Sequence, residues 1–141
     1  IDREGNRPER TTYSLTDAGR EAVVTWVQRE LPRIDRPSEF RIALAEAHNL
    51  ERPEVIELLG AHRVALVDDH IRHRDGLANA RQHAVPEQVL VEIERQEALL
   101  AAELRWLDSL LERLEADALP WGPTAFQNSD RYRAQRKAAQ Q

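Results

Sequence analysis

The sequence predicts a mainly α-helical chain opened by one short β-hairpin, and three observations predict it. Apolar residues recur at steps of three and four over several stretches, most regularly as Leu90, Ile93, Leu100, Leu104, Leu107, Leu111 and Leu114. Pro32, Pro37, Pro53 and Pro86 stand where such stretches begin or stop. Only near the start does the pattern change, where Thr11-Thr12-Tyr13-Ser14-Leu15 favours a strand behind the turn formers Glu4-Gly5-Asn6-Arg7-Pro8. With 141 residues, 41% hydrophobic and 32% charged, the chain can bury a core of its own as one domain, or as a small domain plus part of another.

In chain order, residues 1–15 are read as the hairpin. Thr16 is a good N-cap for a helix over residues 17–31, because its hydroxyl can accept from an unpaired N–H of the first turn, and Asp17 suits the positive end of the helix dipole. Ala18, Ala22, Val23, Trp26 and Val27 give that helix one apolar face. Pro32 stops it, and residues 32–37 form a linker. A second helix is expected over residues 38–48, with Asn49 as its exit. A third is expected from Pro53 to about residue 80, with Gly60 and Gly76 as weak points and a break at residues 82–85. The fourth is expected to open at Pro86 and run to about residue 116, carrying a second apolar row of Leu99, Trp106 and Leu110 beside its main one. Two rows are more than one intrachain partner needs, which points to packing on both its own domain and a second subunit. After an irregular start around Pro120, Gly122 and Pro123, Ser129 can cap a last helix over residues 130–139.

Composition removes several function classes. The absence of cysteine excludes disulfides, thiolate catalysis and cysteine-based zinc sites. No apolar run is long enough for a bilayer span, and no secretion signal opens the sequence, so a cytoplasmic location is expected. The net charge of −5 is uneven. Residues 1–37 are neutral (seven basic, seven acidic), 38–115 carry −7 (nine basic, sixteen acidic) and 116–141 carry +2 (four basic, two acidic). The acidic middle repels nucleic acid, so any DNA contact must come from the first segment or, less favourably, the last.

Three stretches together carry a family resemblance. Gly5-Asn6-Arg7-Pro8 through Thr11-Thr12-Tyr13-Ser14-Leu15-Thr16-Asp17-Ala18-Gly19-Arg20 resembles the wing and following helix start of PadR-type regulators. Phe40 through Leu44, then Asn49-Leu50 and Pro53-Glu54-Val55-Ile56-Glu57-Leu58-Leu59, is similar to the start of the C-terminal helical domain of the longer PadR subfamily, shared with virulence-activator-type regulators. Glu103-Leu104-Arg105-Trp106-Leu107 resembles the Trp-Leu motif of that domain's last long helix. The likeness spans about residues 3–115. It implies a truncated winged helix-turn-helix over residues 1–31, with its recognition helix upstream of Ile1. The lack of any methionine, with Ile1 first, independently leads to the same expectation that residues precede it. A helical dimerisation and effector domain would follow over residues 38–116, and a tail over 117–141. The function implied is a homodimeric, DNA-binding transcription regulator that represses or activates promoters, with repression the expected sign, tuned by a small aromatic effector and needing no cofactor.

The residues themselves leave choices open. Arg3, Asn6, Arg7 and Arg10 surround the hairpin turn; on a wing tip they can reach phosphates or a narrow minor groove, and otherwise they form a solvated hairpin paired with Glu4 and Glu9. His62, His70 and Trp106 are the candidate effector contacts, although each also suits a polar layer or a core anchor between helices. Leu100, Leu104, Trp106, Leu107 and Leu111 are the candidate dimer interface. His70 and His73, with Asp69, have the spacing of a metal or pH sensor but too few ligands for a metal site. Glu92, Glu94, Glu97 and Glu103 read as a solvated acidic face, since no Glu-x-x-His accompanies them. Ser14, Ser38, Ser109 and Ser129 lack a nucleophile-elbow context and no phosphate-cradling glycine loop occurs, so no enzyme is expected. An interaction module without its own DNA binding is the other class the sequence allows.

Overall fold

The computed structural model of the chain describes residues 16–127. These residues are about 80% helix and contain no strand, which agrees with the mainly α expectation. The expected hairpin over 1–15 and the expected helix over 130–139 lie outside the described residues. Within them run α1 (Asp17–Glu30), α2 (Pro37–Ala45), α3 (Arg52–Gln82), α4 (Val91–Glu115) and α5 (Pro123–Gln127). Single 3-10 turns at Ala47–Asn49 and Glu87–Val89 lead into α3 and α4. No described helix is long and apolar enough to cross a membrane.

The start of α1 follows its cap: the Thr16 hydroxyl accepts from the Gly19 N–H at 3.0 Å. Two of the later boundaries that frame the core differ from the expectation. The second helix ends at Ala45, because Glu46 leaves helical geometry (φ −100°, ψ 3°), and Asn49 donates its side-chain amide back to the Glu46 carbonyl at 2.9 Å. The fourth helix opens at Val91 and not at Pro86: Pro86 is extended, and the turn after it places Leu90 in the interior at 6% exposure. The third helix passes through Gly60 and Gly76 unbroken, since buried Val55, Leu59, His62, Leu66 and Leu77 hold one stripe of it against its neighbours.

Helices α3 and α4 are antiparallel, as contacts show. Arg63 meets Asp108, His70 meets Glu97, and the Ile93 side chain lies beside Gly76, so rising numbers on one helix face falling numbers on the other. At about 1.5 Å per residue the pair is roughly 40 Å long. Helices α1 and α2 close over one side of it. Val27, Leu31, Phe40, Ala43 and Ala47 join Leu59, Leu66, Leu100, Leu107 and Leu110 in one hydrophobic cluster. Each fully buried leucine of such a cluster contributes about 2 kcal/mol.

Arg52 locks the two ends together. Its guanidinium, at the start of α3, donates to the Leu114 and Leu119 carbonyls, each at 3.0 Å, and pairs with Asp117 at 2.6 Å. A cation at the C-terminal end of α4 satisfies carbonyls that the helix leaves unpaired and complements its dipole. After this cap, Gly122 takes φ +109°, where an added Cβ would lie 2.9 Å from the Glu51 carboxylate, and Trp121 donates to the Ala47 carbonyl at 3.3 Å.

Candidate functional site

A cavity of about 270 Å³ lies where the α1–α2 linker and α2 meet the long pair. Ile34 and Pro37 come from the linker and the start of α2, and Phe40 from its first turns. His62, Leu66 and Asp69 line one wall from α3 at steps of four and three, so they share a helical face. Gln96, Leu100 and Glu103 do the same from α4. The volume equals that of about nine water molecules at ~30 Å³ each.

His62 is the centre of this site. Its ring stacks on Phe40, with centroids 4.0 Å apart and planes 6° from parallel. The residue is 2% exposed. Nδ1 lies 2.9 Å from the Arg33 carbonyl, which only accepts, so Nδ1 carries a hydrogen. Nε2 lies 3.3 Å from Glu103 Oε2 and donates to it only when the ring holds both hydrogens. With one hydrogen, Nε2 is itself an acceptor beside a carboxylate, and the two together call for a donor.

The other polar groups leave capacity as well. Asp69 Oδ1 is engaged by Arg72 and approached by His73 Nδ1 at 3.4 Å, while no described residue donates to Oδ2. No described residue hydrogen-bonds the Gln96 amide. None of the nine lining residues is Lys or Arg.

The candidate effector residues therefore separate. His62 lines the cavity; His70 and Trp106 do not. His70 donates its Nε2 hydrogen to Glu97 Oε2, 2.8 Å away across the helix pair, and Trp106 is 38% exposed on α4. His73 bonds back to the Asp69 carbonyl of its own helix at 2.9 Å. Among the described residues no group of three or more metal-ligating side chains occurs. Glu97 and Glu103 are not part of a solvated face, as each faces a histidine of α3. The sequence singles out neither Phe40 nor Gln96 as a site residue, and Asp69 only as a partner of His73. The available signal was Glu97 interrupting a leucine row opposite a helix rich in histidine, a cross-helix polar layer.

The candidate dimer row divides by exposure. Leu100 and Leu107 are 5% and 0% exposed in the chain's own core, and Leu104 and Leu111 pack against that core. Of the five residues only Trp106 is exposed, and Leu99, one turn-pair before it, is 48% exposed. The main row turns inward against α3 and the rest of the core, together with Leu110, which leaves Leu99 and Trp106 uncovered. Arg3, Asn6, Arg7 and Arg10, the candidate DNA contacts, lie outside the described residues.

Two further features frame the site. The Arg63 guanidinium, hydrogen-bonded to Asp108, holds that carboxyl below its usual range and ties α3 to α4 on the outer surface. Among the described residues, a wider groove of about 500 Å³ is lined by Asp17, Arg20, Glu21, Val24 and Thr25 of α1, and one convex helix does not by itself enclose a ligand. No protein-family model matches the chain, and no curated protein or solved structure does either.

Proposed function

We propose that the chain is part of a PadR-type transcription regulator, a homodimer that binds promoter DNA through a winged helix-turn-helix and acts as a repressor. The observation that carries this reading is the order of the three motifs, from the Gly5–Arg20 stretch through residues 40–59 to Trp106-Leu107. In support, α1 begins at the Thr16 of the first motif, where a wing would hand over to its following helix. The acidic centre of the chain leaves DNA contact to the arginines around the Gly5-Asn6 turn.

The proposed mechanism is geometric. Two long helix pairs, joined through the Leu99–Trp106 row, set the spacing of two DNA-binding heads, so that they match half-sites about one helical turn apart. The cavity lies between the α1–α2 segment and the long pair. A ligand that prefers one arrangement of these layers shifts the head relative to the dimer and changes DNA affinity.

The test is a titration of the full-length protein, with any upstream residues present, against its own promoter DNA and a scrambled duplex at several salt concentrations. The expected result is sequence-dependent binding with a dimer-sized footprint. Arg7→Ala with Arg10→Ala should lower both affinity and its salt slope. Equal, weak binding to both duplexes would leave a helical interaction module instead.

A further inference from the structure

We infer that the His62 cavity binds a small amphipathic cation, a single apolar ring carrying an amidine or primary ammonium group, and discriminates against carboxylate ligands. The inference deepens the effector reading of the cavity and does not depend on DNA binding.

The wall chemistry selects the charge. Glu103 and Asp69 bring two carboxylates to the cavity, Asp69 already paired through Oδ1 with Arg72, and no lining residue is Lys or Arg. An anionic ring would bury its charge against both carboxylates, whereas a cation is attracted to them in a site less screened than open water. The acceptors also demand donors. With Nδ1 committed to the Arg33 carbonyl, Nε2 lies 3.3 Å from Glu103 Oε2, and a ring that holds one hydrogen offers a lone pair there. A ligand group with two or more N–H donors satisfies both acceptors at once, and the Gln96 amide oxygen offers a third. A hydroxyl has one hydrogen and a carboxylate none, so neither can.

The remaining walls select the body. Ile34, Phe40, Leu66 and Leu100 are apolar, and the Phe40–His62 stack makes one side flat. At about 270 Å³ the space suits one ring with a short arm.

The test uses benzamidine as the cation, benzoate as the anion and benzyl alcohol as the neutral ring, titrated calorimetrically without DNA. Wild-type protein should bind benzamidine at least tenfold more tightly than either other probe, and the His62 ring resonances should shift as it saturates. Glu103→Gln should weaken benzamidine at least tenfold and leave benzyl alcohol unchanged, while Asp108→Asn on the outer surface should change neither. Glu103 is partly exposed, so the variant should fold; the His62 shifts in wild-type protein give a readout that needs no variant. Benzoate binding as tightly as benzamidine, unaltered benzamidine affinity in Glu103→Gln, or no benzamidine binding up to its solubility would each overturn the inference. Benzamidine that binds at His62 but leaves promoter affinity unchanged supports the site and counts against its coupling to DNA. Loss of sequence-specific DNA binding with the cation site intact counts against the regulator reading alone.

Discussion

At the end of α1 the Glu30 carboxylate has a side-chain exposure of 0%, yet its partners sit in water. Arg29 and Arg36 reach Oε2 at 3.1 and 3.5 Å with side chains 56% and 43% exposed, and Oε1 accepts no hydrogen bond from the described residues. Removing a charge from a buried pair is damaging when it strands the opposite charge. Here both arginines return to solvent, so that penalty is absent. An unmatched buried acceptor costs about 1–3 kcal/mol, while exposed ion pairs return about 1 kcal/mol or less. Glu30→Met, close in volume, should therefore raise stability by about 1 kcal/mol in urea denaturation. A loss would mean that the carboxylate serves a group outside residues 16–127. The position was legible in part, since Val23, Val27 and Glu30 are spaced along one face of α1. What the spacing does not show is that α2 covers that face up to its last turn.

Both long helices end in the same device. Ala84 takes φ +58°, with the Val85 N–H reaching back to the Ala80 carbonyl at 3.0 Å, and Asp117 takes φ +56°, with the Ala118 N–H reaching the Arg113 carbonyl at 2.9 Å. This left-handed closure normally uses glycine, because a Cβ there costs about 1–2 kcal/mol. Glycine also loses more chain entropy on folding, about 0.4–1 kcal/mol. Ala84→Gly should therefore stabilise the chain by about 0.5 kcal/mol, seen as a higher urea midpoint with an unchanged slope; a lower midpoint would refute the strain argument. Helices were legible because burial on one side imposes a spacing on the sequence. Their ends were less so. Proline's fixed φ suits both an extended residue and a first helical residue, so the sequence alone does not separate Pro86, which is extended, from Pro123, which starts α5.

For the molecule as a whole, the sequence showed that the fourth helix carries two apolar rows but not which one turns inward. That choice depends on where α3 and the rest of the core pack, which comes from contacts distant in sequence and not from local spacing. The core takes in the Leu100–Leu107 row and Leu110 and leaves Leu99 and Trp106 at 48% and 38% exposure. The two exposed residues are seven apart, hence on one stripe of α4, with Ala102 between them. A small residue between two large ones lets a second helix approach closely. A stable interface needs about 800 Å² from each partner, more than these three side chains supply, so neighbouring polar residues must contribute. The proposed dimer should then be of moderate affinity and depend on its apolar centre. Sedimentation velocity should show a dimer for the parent chain and a monomer for Leu99→Glu combined with Trp106→Glu. Neither residue belongs to the buried core, so helix content should change little. In the full-length protein the same pair of changes should reduce promoter affinity as the two heads lose their linkage, without touching benzamidine binding at His62. A parent chain that remains monomeric at several hundred micromolar, or a double variant that still dimerises, would remove this row from the mechanism and move the search to Val64 and Ile71, the exposed pair seven residues apart on α3.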